Sequence, residues 1–185
     1  MSSIEEQISK TILSKAFKNY HDNPLSNIGL TVALIDEDDI YNWKCSLMGP
    51  NDSPYKGGFF RLFIKFQKTF PMTGPEVTFD TPIYHLNINP VKGMEPLGHC
   101  CISTVNFWTP DTSLEDLLVS IFALFYAGNP DSAYGLDIKK EYIYNRELYN
   151  KKVKYFTQKY AHSSVSSKDM IKWDFNYNNE NDNQD

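Results

Sequence analysis

The sequence predicts an α+β domain in which an N-terminal helix precedes a four-stranded antiparallel meander and further helices close the chain. Three observations support this fold class. Apolar residues recur at every fourth position near the start, apolar and polar residues then alternate through four short stretches, and helical periodicity returns after residue 112. With 185 residues, of which 41% are hydrophobic, the chain can bury one substantial core without disulfides or metal.

The first helix is expected over roughly residues 4–20. Ser3 and Glu6 have the spacing of a capping box, in which each residue satisfies a backbone N–H of the first turn. The apolar residues that follow at intervals of four are Ile4, Ile8, Ile12, Ala16 and Tyr20. This repeat is typical of an amphipathic helix, and the polar segment 21–24, which ends in proline, should terminate it.

Four short strands are expected next, because apolar residues recur at every second position. The alternating residues are Leu30/Val32/Leu34, Trp43/Cys45/Leu47, Phe60/Leu62/Ile64/Phe66 and Val77/Phe79. Residues 48–58, between the second and third stretches, are rich in the Gly, Pro, Asn and Asp that turns require. The short spacings favour antiparallel hairpins and therefore a meander.

A long connection without regular periodicity runs from Thr81 to Thr112 and contains the adjacent thiols Cys100 and Cys101. Loops of this length are uncommon unless they are functional. The capping pair formed by Ser113 and Asp116 then predicts a strongly apolar, central helix through about residue 126. Periodic apolar residues from 138 to 161 predict one or two more helices, with a break near Asn145.

Composition narrows the classes of partner and the compartment. A net charge of −5 argues against nucleic-acid binding, which needs clustered Lys and Arg, so a protein partner is expected. The longest apolar stretch, residues 117–127, is about half of the roughly 20 residues that span a bilayer, so no membrane contact is expected. Unpaired cysteines at 45, 100 and 101, after a polar opening without a secretory apolar segment, favour a reducing cytoplasmic and/or nuclear setting.

Neither a metal nor another cofactor is expected. His85 and His99 lie near two cysteines in the sequence, but no second cluster of cysteines or histidines completes the four ligands of a zinc site. His85 is expected to tie down its loop by hydrogen bonds, and His99 is expected to be exposed.

The chain is expected to divide into a folded unit, residues 1–162, and a polar, acidic C-terminal extension, residues 163–185. The extension carries too little apolar area to offset its ordering entropy, so we expect it to be largely disordered. Docking as a small appendage stays open for its apolar residues, which are Met170, Ile171, Trp173, Phe175 and Tyr177.

Several motifs resemble the catalytic domain of ubiquitin-conjugating enzymes over roughly residues 4–162. Residues 41–60 are similar to that family's second strand, turn and third-strand start almost residue by residue. Further similarities are Phe70–Pro75 to its proline-rich loop, Tyr84–Asn89 to its His-Pro-Asn signature with Leu86 in place of proline, and Gly98–Ser103 to its Gly-x-x-Cys site. Trp108–Pro110, Asn129–Ser132 and Tyr142–Ala161 match the family's Trp-Ser-Pro loop, Asn-Pro-Asp turn and closing helices. The resemblance implies the ubiquitin-conjugating-enzyme fold, with a long active-site loop between the meander and the central helix.

The resemblance also implies a chemistry. Cys101 would accept ubiquitin or a ubiquitin-like protein from an activating enzyme as a thioester and pass it to a lysine, usually with a ubiquitin ligase. Counting forward from Gly98 assigns this thiol to Cys101, whereas counting back from Trp108 favours Cys100, and we prefer Cys101. His85, Leu86 and Cys100 would complete the active-site loop.

Three further residues are nominated for the transfer step. The resemblance nominates the Asn87 side-chain amide as the donor to the developing oxyanion, with holding the loop's shape as its alternative role. Asp131 or Ser132 would supply a polar wall that helps to deprotonate the incoming lysine, or would only form a turn. Leu86 restores a backbone N–H that proline lacks, so the loop carrying Asn87 is expected to be less rigid.

Partner surfaces follow from the same resemblance. The activating enzyme would contact basic residues of the first helix, including Lys10 and Lys15, although a solvated helix face explains them equally well. Ligases would contact Met72 and the loop Thr109–Pro110–Asp111, where the charge of Asp111 is expected to narrow the set of ligases. Residues 90–97 lengthen the usual link beside the site. Two alternatives stay open: a carrier for a different ubiquitin-like modifier, and a non-catalytic variant that only binds.

Overall fold

The computed structural model describes residues 3–25, 28–90 and 97–162, and the elements follow the expected α+β order. The helices are α1 (Ile4–Asp22), α2 (Ser103–Asn106), α3 (Leu114–Ala123), α4 (Leu136–Tyr144) and α5 (Arg146–Tyr160). The strands are β1 (Thr31–Leu34), β2 (Asn42–Met48), β3 (Phe59–Lys65) and β4 (Glu76–Phe79). The predicted C-terminal extension and all but the ends of the predicted insertion lie outside the described residues.

The strands form an antiparallel meander in the order β1-β2-β3-β4, which confirms the predicted topology. Val32, Cys45, Leu62 and Phe79 are paired in succession across the sheet. All four are buried, so this row belongs to the core face of the sheet. The alternating sequence pattern therefore predicted both the strands and the face that the helices cover, as period-two geometry requires.

Helix α1 begins after Ser3, the predicted N-cap, whose hydroxyl oxygen accepts the Glu6 N–H at 3.1 Å, while the Glu6 carboxylate pairs with Lys10 and Lys68. Its buried side is formed by Leu13 and Tyr20, with Phe17 packed edge-on against Trp43 at 5.7 Å between ring centroids. The helix therefore packs on the sheet mainly through its C-terminal half.

The apolar repeat of α1 is only partly a core face. Ile4, Ile8 and Ile12 are 76%, 50% and 37% exposed, so the first half of the predicted stripe faces away from the sheet. The reason is geometric: a row of every fourth residue advances about 400° per step and winds around the helix. The same row reaches the sheet only at its far end, with Ala16 half-buried and Tyr20 buried.

Helices α3 and α5 contribute buried residues to the same hydrophobic core as the sheet and confirm the predicted central and closing helices. Helix α3 buries Leu117, Leu118 and Ile121. The predicted break between the last two helices falls at Asn145, which ends α4 and caps α5 by accepting the Leu148 N–H at 3.1 Å. No helix within the described ranges has the length and apolar character that crossing a bilayer would require.

The long connection is more regular than its sequence suggested. After a turn at Gly98, where φ is 79°, residues 99–101 run as an extended segment between β4 and residues 87–89. On one side Phe79 N donates to Gly98 O and Cys100 N to Val77 O, and on the other Asn89 N donates to His99 O and Cys101 N to Asn87 O, all at 2.8–2.9 Å. The short helix α2 then follows, an element that the sequence did not predict. These hydrogen bonds fix the backbone positions of the two adjacent cysteines, Cys100 and Cys101.

Candidate active site

The two adjacent cysteines point to opposite sides of the extended segment. Cys100 is 1% exposed and belongs to the hydrophobic core, whereas Cys101 is half-buried and lines an open groove of about 210 Å³. This division follows from the alternation of side chains along an extended backbone. Burial raises the pKa of the Cys100 thiol far above its ordinary range, with a smaller contribution from the neighbouring Cys101. Of the two sulfurs, only that of Cys101 lies where an extended peptide end can reach it.

The groove lies between the active-site loop and helices α2 and α3. Its lining residues are Asn87, Cys101, Ile102, Ser103, Thr104, Ser120, Ala123, Leu124, Ala127 and Asn129. Small and polar side chains dominate, and the Thr104 and Ser120 hydroxyl oxygens lie 2.6 Å apart across the two helices. A groove of this kind offers hydrogen bonds and little bulk, as an extended, glycine-rich chain would require.

A hydrogen-bond donor to the Cys101 thiol comes from α2. The Asn106 side-chain amide donates to the Cys101 sulfur at 3.2 Å. A hydrogen-bond donor stabilises a sulfur that carries negative charge. Sequence reasoning missed Asn106 because the short helix that brings it back toward the thiol had no recognisable signal.

Asn87 is fully buried and binds the neighbouring loop through both ends of its amide. Its oxygen accepts the Asn129 N–H at 2.7 Å, and its nitrogen donates to the carbonyls of Asn129 at 2.7 Å and Ser132 at 2.9 Å. Both N–H donors are therefore engaged by the backbone. In this geometry Asn87 holds the loop at residues 129–132, and donation to an oxyanion requires one of these bonds to be released.

His85 fixes the same loop from the other side. Its Nδ1 accepts the Asn87 N–H at 3.0 Å, so Nε2 carries the proton and donates to the Leu124 carbonyl at 2.9 Å. Burial lowers the pKa of His85 to about 4, although the bond to the Leu124 carbonyl acts in the opposite direction. The ring is therefore neutral near pH 7 and connects the end of α3 to the active-site loop.

Leu86, which stands where the family pattern has proline, is completely buried. A Cβ atom on Gly128 would lie 2.0 Å from Leu86 Cδ2 and 3.0 Å from the Asn87 side-chain oxygen. The absence of a side chain at residue 128 therefore makes room for Leu86. Packing and the two hydrogen-bonded neighbours, His85 and Asn87, fix this segment in place of the ring constraint that proline would provide.

The expected polar wall formed by Asp131 or Ser132 is not found beside the thiol. Neither residue lines the groove, and the Asp131 side chain is 93% exposed, with its carboxylate 3.9 Å from Lys139 Nζ. The cause is local, because the Asn129 side chain accepts the Asp131 N–H at 2.9 Å and begins a tight turn. From this region of the chain, the polar side chain that lines the groove with Cys101 is instead that of Asn129.

His99 is not exposed as expected. It is half-buried, and its Nδ1 lies 2.6 Å from the Tyr134 hydroxyl in a hydrogen bond. Within residues 3–25, 28–90 and 97–162, no group of His, Cys, Asp and Glu side chains is arranged to hold a metal ion. His99 therefore has a protein partner in the loop that follows α3.

The predicted ligase-facing residues lie on adjoining loops. Met72 is 67% exposed, and Thr109, Pro110 and Asp111 are also exposed. Trp108 joins the two loops, since its indole N–H donates to the Pro71 carbonyl at 2.8 Å. Met72 and the loop Thr109–Asp111 therefore form one contiguous surface.

Lys10 and Lys15, the basic residues nominated on α1, are far in the sequence from Met72 and the loop Thr109–Asp111, and both point to solvent. Lys10 and Lys15 are exposed, and Lys10 pairs with Glu6 at 3.4 Å. The Lys10 side chain is 51% exposed, so solvent screens the pair and it contributes little to stability. Both side chains therefore stay accessible to a partner.

Comparison with known families agrees with the fold. The sequence model of the family described as "Ubiquitin-conjugating enzyme" matches residues 13–157, from within α1 to within α5. The matched region includes the meander, the active-site loop, both cysteines of residues 100–101 and the loop that Asn87 holds. The chain belongs to the ubiquitin-conjugating enzyme family.

Proposed function

We propose that this protein accepts ubiquitin as a thioester on Cys101 from an activating enzyme and transfers it to substrate lysines, usually with a ubiquitin ligase. The observation that carries the proposal is the division of the cysteine pair, in which the Cys101 sulfur lines an open groove and the Cys100 sulfur is sealed in the core. Membership of the family supports the class of reaction.

Loading is an exchange of one thioester for another. The Cys101 thiolate attacks the carbonyl of the modifier's C-terminal residue, a new C–S bond forms, and the bond to the activating enzyme's sulfur breaks and releases that thiolate. Sulfur is intrinsically nucleophilic, so a dedicated base is not required. The Asn106 amide, 3.2 Å from the Cys101 sulfur, would stabilise the negative charge on it before attack.

Discharge converts the thioester to an amide. The neutral amine of a substrate lysine attacks the same carbonyl, a C–N bond forms, the C–S bond breaks, and Cys101 leaves as its thiolate while the nitrogen loses a proton to solvent. A free lysine with a pKa near 10.4 is neutral in roughly one molecule in a few thousand at pH 7, so its approach must favour the neutral form. The neutral amides of Asn87 and Asn129 line this approach, and Asp131 lies outside the groove on the same loop.

A loading assay tests the proposal. The protein is incubated with ubiquitin, activating enzyme and ATP, and adducts are resolved with and without thiol reductant. The wild type and the Cys100→Ala variant should form an adduct that reductant removes, and Cys101→Ala should form none. Cys101→Ser should form an oxygen ester that survives reductant.

Other outcomes identify the alternatives. An adduct that persists in Cys101→Ala and disappears in Cys100→Ala would move the reaction to the other sulfur. Loading that occurs only with a different modifier and its own activating enzyme would identify a carrier for that modifier. Binding of ubiquitin without loading of any modifier would identify a non-catalytic variant.

Partner recognition is part of the same proposal. We infer that ligases contact Met72 and the loop Thr109–Asp111, and that the activating enzyme contacts α1 through Lys10 and Lys15. Exposure of all these side chains supports the inference. Lys10→Glu with Lys15→Glu should slow loading and leave discharge to free lysine unchanged, whereas Met72→Ala should reduce only ligase-stimulated discharge. Equal loading rates in the lysine variant and the wild type would refute the assignment of α1.

A further inference from the structure

A hydrogen bond joins the segment that carries Cys101 to the loop that follows α3. His99 Nδ1 and the Tyr134 hydroxyl oxygen lie 2.6 Å apart, and the two rings meet edge to face, with centroids 6.4 Å apart and planes at 86°. Both residues are half-buried. The short distance and the defined ring geometry make this a specific contact between two segments 35 residues apart in the sequence.

The imidazole lies on the same face of its segment as the reactive thiol. Residues 99–101 are extended, and the backbone of residues 98–101 is hydrogen-bonded on both sides, to β4 and to residues 87–89. Side chains alternate along such a backbone, so His99 and Cys101 share one face while Cys100 enters the core from the other. The bond to Tyr134 is therefore formed on the side of the segment where a thioester on Cys101 would stand.

The loop at residues 129–134 has a second set of anchors, which hold its inner edge. Tyr134 N donates to the Leu86 carbonyl at 2.8 Å, and the Asn87 amide binds the backbone of Asn129 and Ser132. These bonds connect the loop to residues 86–87. The His99–Tyr134 bond differs because it connects the loop through side chains to the segment of Cys101 itself.

We propose that His99 and Tyr134 form a clamp that positions the loop at residues 129–134 for attack by the substrate lysine, so that the clamp acts in discharge and not in loading. This inference rests on the proposed function. In loading, the nucleophile is Cys101, whose backbone is fixed by its own ladder of hydrogen bonds. In discharge, a second reactant must fit between the thioester and the loop, and a displacement of about 1 Å in such a site can cost about a hundredfold in rate.

The central experiment separates the two steps in single-turnover assays. Tyr134→Phe removes the hydroxyl and keeps the ring, and His99→Ala removes the imidazole. Each variant should load ubiquitin at a rate within about twofold of the wild type and should discharge its thioester to free lysine about tenfold more slowly, as expected for one lost hydrogen bond. Tyr134→Phe combined with His99→Ala should be no slower than either single variant, because both remove the same bond.

Two further variants control for a general loss of structure. His99→Asn keeps a polar atom close to the position of Nδ1 and should restore discharge to within about threefold of the wild type. Tyr126→Phe makes the same chemical change at a hydroxyl that bonds to Asp52 at the surface, and it should change neither step. Thermal unfolding of each variant establishes that the compared proteins are folded.

The outcomes distinguish failure of the clamp from failure of the proposed function. Unchanged discharge in Tyr134→Phe and His99→Ala would overturn the clamp, as would an equal decrease in loading and discharge. Absence of loading in the wild type with every modifier would instead overturn the proposed function. A selective loss of discharge that His99→Asn restores is the result that supports the clamp.

Discussion

The Cδ2 atom of Leu86 occupies the space in which a Cβ atom on Gly128 would stand, at a separation of 2.0 Å. Leu86 itself is fully buried, so it cannot move aside without disturbing the core. Leu86, which departs from the family's motif, and Gly128, in the loop after α3, therefore depend on each other. This contact joins the two loops that border the groove of Cys101.

Gly128→Ala should lower the free energy of unfolding by about 1–3 kcal/mol, because the added methyl overpacks a filled site. Urea denaturation of wild type and variant measures the change. Leu86→Ala should also destabilise, by about 2–5 kcal/mol through a cavity. The double variant should lose less free energy of unfolding than Gly128→Ala and Leu86→Ala lose together, since the new methyl at residue 128 enters the cavity at residue 86. Simple additivity would contradict the contact.

Alkylation should distinguish the three cysteines. In the native protein, iodoacetamide should modify Cys101, which lines the groove, and leave Cys45 and Cys100 intact. Burial raises the pKa of Cys45 to about 12 and that of Cys100 further, so neither thiolate is available. Peptide mass spectrometry should find one modified site in buffer and three in denaturant. Modification of Cys100 in the native protein would show that the extended segment faces the other way.

Stability should fall on acidification because of His85. Its pKa is about 4 in the folded protein against an ordinary value of 6.5, so the unfolded chain binds a proton first. The contribution of neutral His85 to the free energy of unfolding is complete above pH 6.5 and is lost as the pH falls toward 4. The total loss is about 3 kcal/mol. Urea midpoints measured between pH 7.5 and 4.5 check this. His85→Asn, less stable at neutral pH, should show a flatter profile, and an unchanged slope would assign the effect to other groups.

Asn87→Ala should lower the free energy of unfolding by about 2–4 kcal/mol, because it removes the three hydrogen bonds that the buried Asn87 amide makes to the backbone of Asn129 and Ser132. Asn106→Ala provides the contrast, since Asn106 is exposed and bonds to the Cys101 sulfur. It should change stability by less than about 0.5 kcal/mol and slow loading. A stable Asn87→Ala protein with impaired discharge would instead mean that Asn87 serves only the chemistry.

Truncation of two residues of α1 should change the free energy of unfolding by very different amounts. Leu13 is completely buried, and Leu13→Ala should cost about 2–5 kcal/mol. Ile8 is 50% exposed, and Ile8→Ala should change stability by less than about 0.5 kcal/mol. Thermal or urea unfolding of the pair tests whether the first half of the apolar repeat contributes to the core. A large loss for Ile8→Ala would show that it does.

The regular elements were predictable because each is encoded locally. Alternation identified all four strands, the capping box at Ser3 identified the start of α1, and Asn145 identified the break between the last helices. The buried side of α1 was harder to predict, because a repeat of four residues winds around a helix and the sequence does not say where the sheet contacts it. Tertiary packing decided that Leu13 enters the core and Ile8 does not.

The candidate site was predictable only in part. The motif around Gly98 identified the segment, and the extended backbone distinguishes Cys101 from Cys100, a choice that counting along the sequence left open. Asn106 and Tyr134 could not be found from the sequence. Each reaches the site through a tertiary contact, Asn106 to the Cys101 sulfur and Tyr134 to His99. The orientation of Asp131 likewise depends on an Asx-type bond from Asn129.

The order of the strands has a consequence for how the protein acquires its shape. Each strand pairs with its sequence neighbour, so the sheet can zip together hairpin by hairpin with little loop-closure entropy. The segments at residues 86–87, 98–101 and 128–134 are distant in sequence and must be brought together afterwards. We therefore expect the meander to nucleate folding and the groove to close late, so that a newly made chain has no formed groove around Cys101 until its later helices have docked.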